Sequence, residues 1–294
     1  MTLHGWIIYN GYLPGDKFYD FAHMIHEAAE HYGHESTILK NNELISFLET
    51  RTMTTISNHP TLPHYVVFTD KDVYLAKQLE LLGIPVYNSA QAIEISDDKI
   101  KTYQMLGSKN IPIPKTIFAP KTFGFDIDQE FIAEVIKILS FPFIIKEAFG
   151  SFGEPVYLIH NDTELYDCLN KVNGKPFMFQ QFIHTSYGTD LRLQVIGDQV
   201  VAAMKRSSEN DFRANVTSGA KMEPYKPNET EIKLAIEATK AIGADFAGVD
   251  LLFGETTPIV CEVNSNAHIR NLFDCTGINV AYDLIKYIER DVRR

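Results

Sequence analysis

The sequence predicts a mixed α/β and α+β protein, and two kinds of pattern carry that prediction. Over residues 1–94, short apolar runs alternate with helical stretches, which is the spacing of βαβ units in a parallel sheet. Further along, paired apolar runs separated by short turns at 190–205 and 247–264 indicate antiparallel hairpins. A length of 294 residues leaves room for about two domains and a large core.

The first region, residues 1–94, has the alternation of a small α/β domain. Strands are predicted at residues 6–9, 36–39, 65–69 and 85–87, and helices at 17–32 and 72–82. Four histidines lie on or just after the first of these helices, where a solvated helix surface is a better interpretation than a metal site: His23, His26, His31 and His34.

The second region, residues 95–185, is predicted to open with a helix that ends at Ser108. Ser96 is followed by two aspartates, and a serine before acidic residues is a good helix N-cap. The elements predicted after this helix are a strand at 116–118, a helix at 129–139, and strands at 141–146 and 156–159.

A glycine-containing loop between two of these strands is a candidate phosphate-binding loop. The first strand ends at Lys146, and the loop contains Gly150, Ser151, Phe152 and Gly153. Backbone N–H groups and a serine hydroxyl in such a loop can surround phosphate oxygens. The alternative is a flexible loop, with the lysine extending from the strand end to water.

The third region, residues 186–294, follows an apolar run at 177–183 and begins with a hairpin. Asp190–Ile196 and Gln199–Lys205 flank a Gly-Asp turn. Basic and amide side chains then concentrate in a polar stretch, which suggests an anion contact or, alternatively, a solvated loop: Lys205, Arg206, Arg213, Asn215 and Lys221.

The second hairpin of this region carries three oxygen-bearing side chains. Asp250 and Glu262 are equidistant from the turn and should lie opposite each other, and Asn264 shares the face of Glu262. Facing carboxylates repel, and a divalent cation between them removes the conflict. All-oxygen ligands suit Mg²⁺ or Mn²⁺. Otherwise one carboxylate points to solvent from an edge strand.

Composition and charge exclude several classes of protein. The net charge is −11, which argues against broad binding to nucleic acid or anionic membranes. Three cysteines without metal-type spacing fit a reducing cytosol, so a cytoplasmic protein is expected. The first residues lack the pattern of a signal peptide, and no apolar run approaches the ~20 residues of a membrane span.

Together, these motifs resemble the ATP-grasp superfamily, specifically its RimK-type glutamate and amino-acid ligases. The resemblance is specific over about residues 95–294 and weaker before them. It is carried by the joint order of segments that are each modest alone: Asp98-Lys99, Phe141–Lys146, Gly150–Gly153, Gln180–Ile183, Asp190–Arg192, Asp211–Asn215, Ala247–Asp250, Glu262–Asn264 and Thr276-Gly277.

The resemblance implies an ATP-grasp fold, in which two α+β subdomains bind ATP between them behind a small N-terminal α/β domain. It also implies that a substrate carboxylate forms an acyl phosphate, which an amine converts to an amide. Lys99 and Lys146 would contact the ATP phosphates as point charges, under the Gly150–Gly153 loop. The backbone of Gln180, Gln181, Phe182 and Ile183 would line the adenine pocket, with Asp190 near the ribose.

By the same resemblance, Asp250, Glu262 and Asn264 would hold Mg²⁺ (or Mn²⁺) between the β- and γ-phosphates, where its charge assists phosphoryl transfer. Three further side chains would stabilise the transferring phosphoryl group or the acyl phosphate: Arg206, Arg213 and Asn215. No covalent nucleophile is required, because catalysis would rest on positioning and electrostatics.

The sequence departs from the family pattern at two places. Glu154-Pro155 follows the phosphate loop where relatives have another glycine, and Ser265–Arg270 replaces the usual Pro-Gly after the metal-ligand asparagine. The second departure makes glutamate addition to a ribosomal protein doubtful. Either His268 and Arg270 bind a substrate carboxylate there, with Arg192 as a third candidate, or the segment is a packed turn.

The leading functional prediction is an ATP-dependent carboxylate–amine ligase that acts on an amino acid, a peptide or a small carboxylate. The alternatives are an ATP-grasp kinase that stops at a phosphorylated product and a non-catalytic ATP-binding protein. Relatives often form dimers, so a homodimer is the assembly that the resemblance allows. No nucleic acid or membrane partner is expected.

Overall fold

The computed structural model describes residues 2–49, 52–56, 61–124, 127–150, 156–214 and 219–293, and within them the chain forms three main sheets. One sheet is parallel and two are antiparallel, which confirms the predicted mixture of α/β and α+β architecture. Each predicted region supplies one sheet, although the boundary predicted at 94/95 falls inside a helix. The exact domain limits therefore stay a prediction.

The parallel sheet has four strands, whose order is β2-β1-β5-β6. Its strands are β1 (His4–Tyr9), β2 (Glu35–Lys40), β5 (Tyr65–Phe68) and β6 (Val86–Tyr87). The crossover from β2 to β5 contains a separate hairpin, β3 (Ile45–Glu49) and β4 (Thr52–Ile56). This hairpin was not predicted, because its Glu-Thr-Arg connection lacks the glycine or asparagine that marks a tight turn.

The two antiparallel sheets lie in the remainder of the chain. The four-stranded sheet, in the order β7-β10-β8-β9, contains β7 (Thr116–Phe118), β8 (Phe143–Glu147), β9 (Val156–Ile159) and β10 (Phe177–Gln181). The five-stranded sheet, in the order β13-β12-β11-β14-β15, contains β11 (Thr189–Ile196), β12 (Gln199–Ser207), β13 (Lys221–Pro224), β14 (Phe246–Phe253) and β15 (Pro258–Asn264).

Helices cover these sheets. In chain order they are α1 (Lys17–His31), α2 (Val73–Leu81), α3 (Ala90–Asp97), α4 (Lys99–Ser108), α5 (Gln129–Leu139), α6 (Asp162–Val172), α7 (Glu229–Ala241), α8 (Arg270–Thr276) and α9 (Ala281–Val292). The helices predicted at 17–32, 72–82 and 129–139, and the one ending at Ser108, are present. Helical patterns at about 229–242 and 280–290 also predict α7 and α9, whereas α3, α6 and α8 were not predicted. No helix in the described part of the chain is long and apolar enough to cross a bilayer.

The predicted N-cap of α4 is wrong. Asp98 caps this helix, because its carboxylate accepts hydrogen bonds from the backbone N–H groups of Ile100 (2.9 Å) and Lys101 (3.2 Å). Ser96 instead lies in the last turn of α3, the helix that Ser89 caps. A run of serine and aspartates offers several candidate caps, and the unpredicted helix α3 removes Ser96 from the choice.

Packing joins the first and last parts of the chain. On one face of the parallel sheet, Ile7 and the apolar side of α1 share a core with Leu284 and Ile288 of α9. On the other face, Trp6 and Ile8 pack toward α2 and α3. The N-terminal sheet is therefore buried on both sides, as parallel sheets are. Its carboxyl-terminal edge approaches the end of β15, since Asn266 Nδ2 donates to the backbone carbonyl of Asp70 at 2.6 Å.

The close contact between β1 and β5 predicts that Gly5→Ala destabilises the fold. A Cβ at Gly5 would lie 2.3 Å from Cζ of the Tyr65 ring, which is buried. We expect urea denaturation to give a free energy of unfolding lower by about 1–3 kcal/mol. Gly107→Ala is the control, because its added Cβ would meet only Ile113 Cδ1, at 3.8 Å. Equal stabilities for the two variants would contradict this prediction.

Candidate active site

Three adjacent strands of the five-stranded sheet build a chain of four charged side chains. The register places Asp190 opposite Arg206 and Arg192 opposite Asp250. Arg206 donates to both oxygens of Asp190, at 2.7 and 2.6 Å, and its Nη2 lies 2.9 Å from Oδ2 of Asp250. Arg192 donates to both oxygens of Asp250. Opposite charges therefore alternate along Arg192, Asp250, Arg206 and Asp190.

Burial shifts the pKa values of the two aspartates in this charge network. Asp250, Arg206 and Asp190 are 4, 8 and 9% exposed. Burial by itself raises the pKa of Asp250, but Arg192 and Arg206 outweigh it and hold that pKa below its usual range. Among the described residues, Asp190 has Arg206 as its one direct side-chain partner, and burial raises the pKa of Asp190 to about 6. Asp250 is thus firmly ionised, with two guanidinium groups already around it.

The neighbouring hairpin has the register that the sequence predicts. Asp250 lies opposite Glu262 and Gly248 lies opposite Asn264. The register shifts between Asp250 and Leu251, so that Cys261 is the extra residue on β15. This irregularity is consistent with a bulge beside a site, where one additional residue changes the direction of the next side chain.

The oxygen donors at this end of the hairpin suit a hard divalent cation. Glu262 offers a carboxylate and Asn264 an amide oxygen, which are ligands that Mg²⁺ and Mn²⁺ accept. Asp250, the third predicted ligand, is engaged by Arg192 and Arg206. Among the described residues, no group of three or more His, Cys, Asp or Glu side chains could hold a metal by itself. The cation would therefore depend on further oxygens, which phosphates can supply.

Two lysines from different elements approach Glu262. Lys146 extends from β8 with its Nζ 3.9 Å from Cys261 Sγ, and it is 8% exposed. Lys99 begins α4, and its Nζ donates to the carbonyl of Gly150 at 2.8 Å. The two ammonium groups influence each other and both interact with the Glu262 carboxylate. They bring positive charge to the place where the two antiparallel sheets meet.

The pKa values of these lysines shift in opposite directions. Burial lowers the pKa of Lys99, and the nearby Lys146 charge lowers it further, against the attraction of Glu262. Burial also disfavours the charged form of Lys146, but Cys261, Tyr103 and Glu262 together outweigh it and raise its pKa. Lys146 is therefore a buried, charged ammonium, which is suited to an anionic ligand that enters between the sheets.

The segment predicted to line the adenine pocket runs along the end of β10. The Gln180 side chain is 2% exposed, and its Nε2 donates to Thr116 Oγ1 at 2.9 Å. Gln181 is exposed, and its backbone N–H donates to the carbonyl of Lys115 at 2.8 Å. Phe182 packs edge-on against Tyr187 and Phe212, while Ile183 accepts a backbone bond from Ser186.

Several predicted site residues lie outside the described residues, so their roles stay predictions. They are Ser151, Phe152 and Gly153 of the candidate phosphate loop, together with Asn215. Arg213 is described. Its guanidinium binds Asp211, with Nη2 to Oδ2 at 2.7 Å, and lies 5.2 Å from the centre of the Phe212 ring. To contact the phosphoryl group as predicted, the Arg213 guanidinium would have to bind Asp211 and the phosphoryl oxygens together.

Two of the candidate substrate residues, Arg270 and His268, face helix α1, whereas the third, Arg192, is bound to Asp250. Arg270 donates to both oxygens of Asp20, at 2.9 and 2.6 Å. His268 lies beside the rings of Phe18 and Phe21. Burial lowers the pKa of His268 to about 4, assisted by the positive charges of Lys17 and Arg192. The segment after Asn264 is therefore packed against the N-terminal domain, and its histidine is neutral at neutral pH.

Three residues near the site were not predicted. Tyr103 donates its hydroxyl to the carbonyl of Cys261 at 2.6 Å, and Lys146 Nζ lies 5.8 Å from its ring centre. Asn88 and Ser96 hydrogen-bond to the backbone around the end of β15. Their partners are 158 to 177 positions away in the sequence, so no local spacing could have identified them.

Comparison with known proteins gives consistent matches. The family model described as a RimK-like ATP-grasp domain matches residues 96–288. An uncharacterized protein MG012 homolog of Mycoplasma pneumoniae is 33% identical over 238 residues, covering 78% of this chain and 81% of that protein. A probable alpha-L-glutamate ligase of Legionella pneumophila (strain Corby) is 34% identical over 220 residues, covering 74% and 71%.

A solved structure shows the same fold at low sequence identity. It is the ATP-grasp ligase PsnB complexed with minimal precursor, Mg and ADP, which superposes with a TM-score of 0.73. The match covers 99% of this chain and 98% of that chain, at 16% identity. The predicted fold is confirmed by this likeness, which extends through the N-terminal region where the sequence resemblance is weaker.

The buried state of His268 predicts a loss of stability in acid. The folded state keeps the imidazole neutral down to pH about 4, whereas the unfolded chain protonates it below about 6.5. Stability therefore falls as the pH drops through this window, by about 2 kcal/mol at pH 5. Urea denaturation of His268→Gln should show a smaller drop between pH 7 and pH 5 than the wild type. The exposed control His160→Gln should behave as the wild type, and an unchanged slope for His268→Gln would contradict the assignment.

Proposed function

The chain belongs to the RimK-like ATP-grasp family, and we propose that it uses ATP to join a carboxylate of one substrate to an amine of another. It is an ATP-grasp ligase by family, and what we propose is the reaction path and the residues that serve it. The observation that carries the proposal is the approach of Lys146, from the four-stranded sheet, to Cys261 and Glu262, from the five-stranded sheet.

The proposed reaction has two steps. A carboxylate oxygen attacks the γ-phosphorus of ATP, and the bond from that phosphorus to the β–γ bridging oxygen breaks. ADP leaves, and the carboxylate has become an acyl phosphate. The amine then attacks the acyl carbon, the C–N bond forms, the C–O bond to phosphate breaks, and the amine nitrogen loses a proton. Both steps move negative charge among phosphate oxygens, so fixed positive charges are the main requirement.

Lys146 and Lys99 would meet that requirement as point charges at the phosphates. Lys146 is held by its buried surroundings, and among the described residues no carboxylate forms a short ion pair with its ammonium. Lys99 donates to the carbonyl of Gly150, so its ammonium would have to share or leave this acceptor to reach the phosphates. The adenine ring would lie along the backbone of Gln180–Ile183.

Asp250, Glu262 and Asn264 would hold Mg²⁺ (or Mn²⁺). The bound cation would neutralise phosphate charge and orient the transferring group. Arg192 and Arg206 limit the charge that Asp250 can offer, which makes Glu262 the principal anionic ligand in this proposal. Arg206, which is bound to Asp190 and Asp250, would influence the phosphoryl group through these carboxylates rather than by direct contact. Arg213 and Asn215 remain the candidates for direct contact with the phosphoryl group.

The names of two similar proteins indicate the substrate class. The Legionella relative is named a probable alpha-L-glutamate ligase, and PsnB was solved with a precursor. We propose an amino acid, a peptide or a small carboxylate as substrate, bound between the end of β15 and helix α1. His268 would face such a substrate as a neutral ring, while Arg270 would have to leave Asp20 to bind a carboxylate. A cytoplasmic protein without nucleic-acid partners stays the prediction from composition.

The metal assignment predicts a large effect of Glu262→Gln. The variant keeps the shape of the side chain but removes one anionic ligand, so turnover should fall by ~10²-fold or more. Turnover would be measured as ADP release at increasing Mg²⁺ concentrations. Glu255→Gln is the matched control, because Glu255 is exposed in the turn of the same hairpin. Near-normal turnover of Glu262→Gln at saturating Mg²⁺ would overturn the metal assignment.

A pooled-substrate assay tests the reaction class. The full chain would be incubated with ATP, Mg²⁺ and pools of amino acids, dipeptides and polycarboxylates, with ADP and phosphate measured and products identified by mass spectrometry. A product mass equal to two pool members minus water is expected for the ligase. A phosphorylated product would favour a kinase, and ATP binding without turnover in any small-molecule pool would direct the search to a macromolecular acceptor or a binding role.

A further inference from the structure

The strand that carries Glu262 and Asn264 lies at the edge of its sheet. The sheet order ends at β15, which pairs on one side with β14. An edge strand presents unpaired backbone groups on its other side. Here those groups are bonded by the segment that connects the N-terminal domain to the rest of the chain, rather than by another strand.

Three contacts follow one another along this outer edge. The backbone N–H of Val260 donates to the carbonyl of Pro112 at 2.9 Å. The Tyr103 hydroxyl donates to the carbonyl of Cys261 at 2.6 Å. The last contact, at the end of the strand, belongs to Ser96. The connecting segment therefore takes the place that a neighbouring strand would have.

Ser96 bonds to both peptide groups that flank Asn264. Its hydroxyl donates to the carbonyl of Val263 at 2.8 Å and accepts from the N–H of Ser265 at 2.9 Å. These two peptide groups lie immediately before and after Asn264, so one oxygen atom limits the rotation of the backbone at that residue. Val263 and Ser265 are 0 and 3% exposed, and water has little access to replace the hydroxyl.

A second buried side chain fixes the next peptide. Asn88, which is fully buried, donates from Nδ2 to the carbonyls of Phe246 (2.8 Å) and Ser265 (2.9 Å). Its Oδ1 accepts from the N–H groups of Asp245 (2.7 Å) and Phe246 (3.2 Å). Asn88 thus ties the chain leaving β15 to the start of β14. With the next peptide held by Asn88, the two hydrogen bonds of Ser96 set the remaining orientation of the Asn264 backbone.

We infer that Ser96 is a positioning residue for the cation, acting through the backbone of Asn264. The inference rests on the proposed function, since it assumes that Asn264 and Glu262 hold the metal. Residues behind the direct ligands orient them, and their removal costs about 10–100-fold in metal affinity. Ser96 does not touch the cation, so its effect reaches the metal only through the geometry of the strand.

The test measures metal binding rather than turnover. Mn²⁺ is titrated into the full chain with one equivalent of bound ADP, and free Mn²⁺ is followed by electron paramagnetic resonance. The same titration of ADP without protein is subtracted, because free ADP also binds Mn²⁺. Ser96→Ala should raise the Mn²⁺ dissociation constant about tenfold, whereas ADP affinity without metal should stay within about twofold. Ser96→Thr keeps the hydroxyl and should restore Mn²⁺ affinity to within about threefold of the wild type.

Ser108→Ala is the matched control. Ser108 also lies in the last turn of a helix and donates its hydroxyl to a backbone carbonyl, that of Met105 at 2.8 Å, but it is exposed. Its Mn²⁺ affinity should equal that of the wild type. If Ser96→Ala does not fold, Ser96→Cys replaces it, because a thiol of similar shape makes weaker hydrogen bonds. That variant should bind Mn²⁺ about three- to fivefold more weakly.

The possible failures are distinguishable. If the wild type binds Mn²⁺ but Ser96→Ala, or Ser96→Cys in its place, binds it within twofold of the wild type, the positioning role is overturned and the metal site stands. Equal weakening of Ser96→Ala and Ser96→Thr would also overturn it, because the hydroxyl would then not be the cause. If the wild type shows no ADP-dependent Mn²⁺ binding, the metal assignment fails and the role of Ser96 fails with it.

Discussion

The alternation of charge from Arg192 through Asp250 and Arg206 to Asp190 is the constraint on which the rest of the site depends. Ionised side chains this deeply buried are tolerated only when they are paired and hydrogen-bonded. The pairing in turn requires the register of β11 with β12 and of β11 with β14, because Asp190 lies directly opposite Arg206 and Arg192 directly opposite Asp250. The third ion pair, between Arg206 and Asp250, spans β11 and needs both registers at once. A one-residue slip of either pairing would leave buried charges without partners.

This network also explains why the two opposed carboxylates of the hairpin, Asp250 and Glu262, interact with different basic residues. Asp250 is stabilised as an anion by two arginines, and Glu262, across the strand pair, instead interacts with Lys99 and Lys146. The two carboxylates therefore face different sets of cations, although they are directly opposed. Repulsion between them is reduced on both sides. The fold can therefore keep two facing carboxylates, and our proposal assigns Glu262 to the phosphate-bound cation.

The connecting segment, residues 88–112, links the N-terminal domain to this chemistry. It bonds the outer edge of β15 through Ser96, Tyr103 and Pro112, and it carries Lys99 between those contacts. Edge strands need such protection, because their free backbone groups otherwise pair with other chains. In this protein the protecting segment also contributes a candidate phosphate ligand.

The sequence by itself determined most of the helices and strands in their order, the two hairpins of the third region, and the opposition of Asp250 to Glu262. Those features depend on local periodicity and on symmetric distance from a turn, both of which can be counted along the chain. The ATP-grasp resemblance came from the same kind of information, because the order of short motifs survives without knowledge of their contacts. The β3–β4 connection has no glycine or asparagine to mark its turn, so even this local hairpin could not be predicted from the sequence.

Only the tertiary structure decided which partner each charged or polar group received. Arg192 and Arg206 could equally have faced an anionic ligand, and Arg270 a substrate carboxylate, until packing placed aspartates beside them. Ser96 has the local signature of a helix cap, yet it donates to a strand residue, Val263, that is 167 positions away. Hydrogen bonds and ion pairs act over a few ångströms, and the separation in sequence carries no information about which groups folding brings within that range.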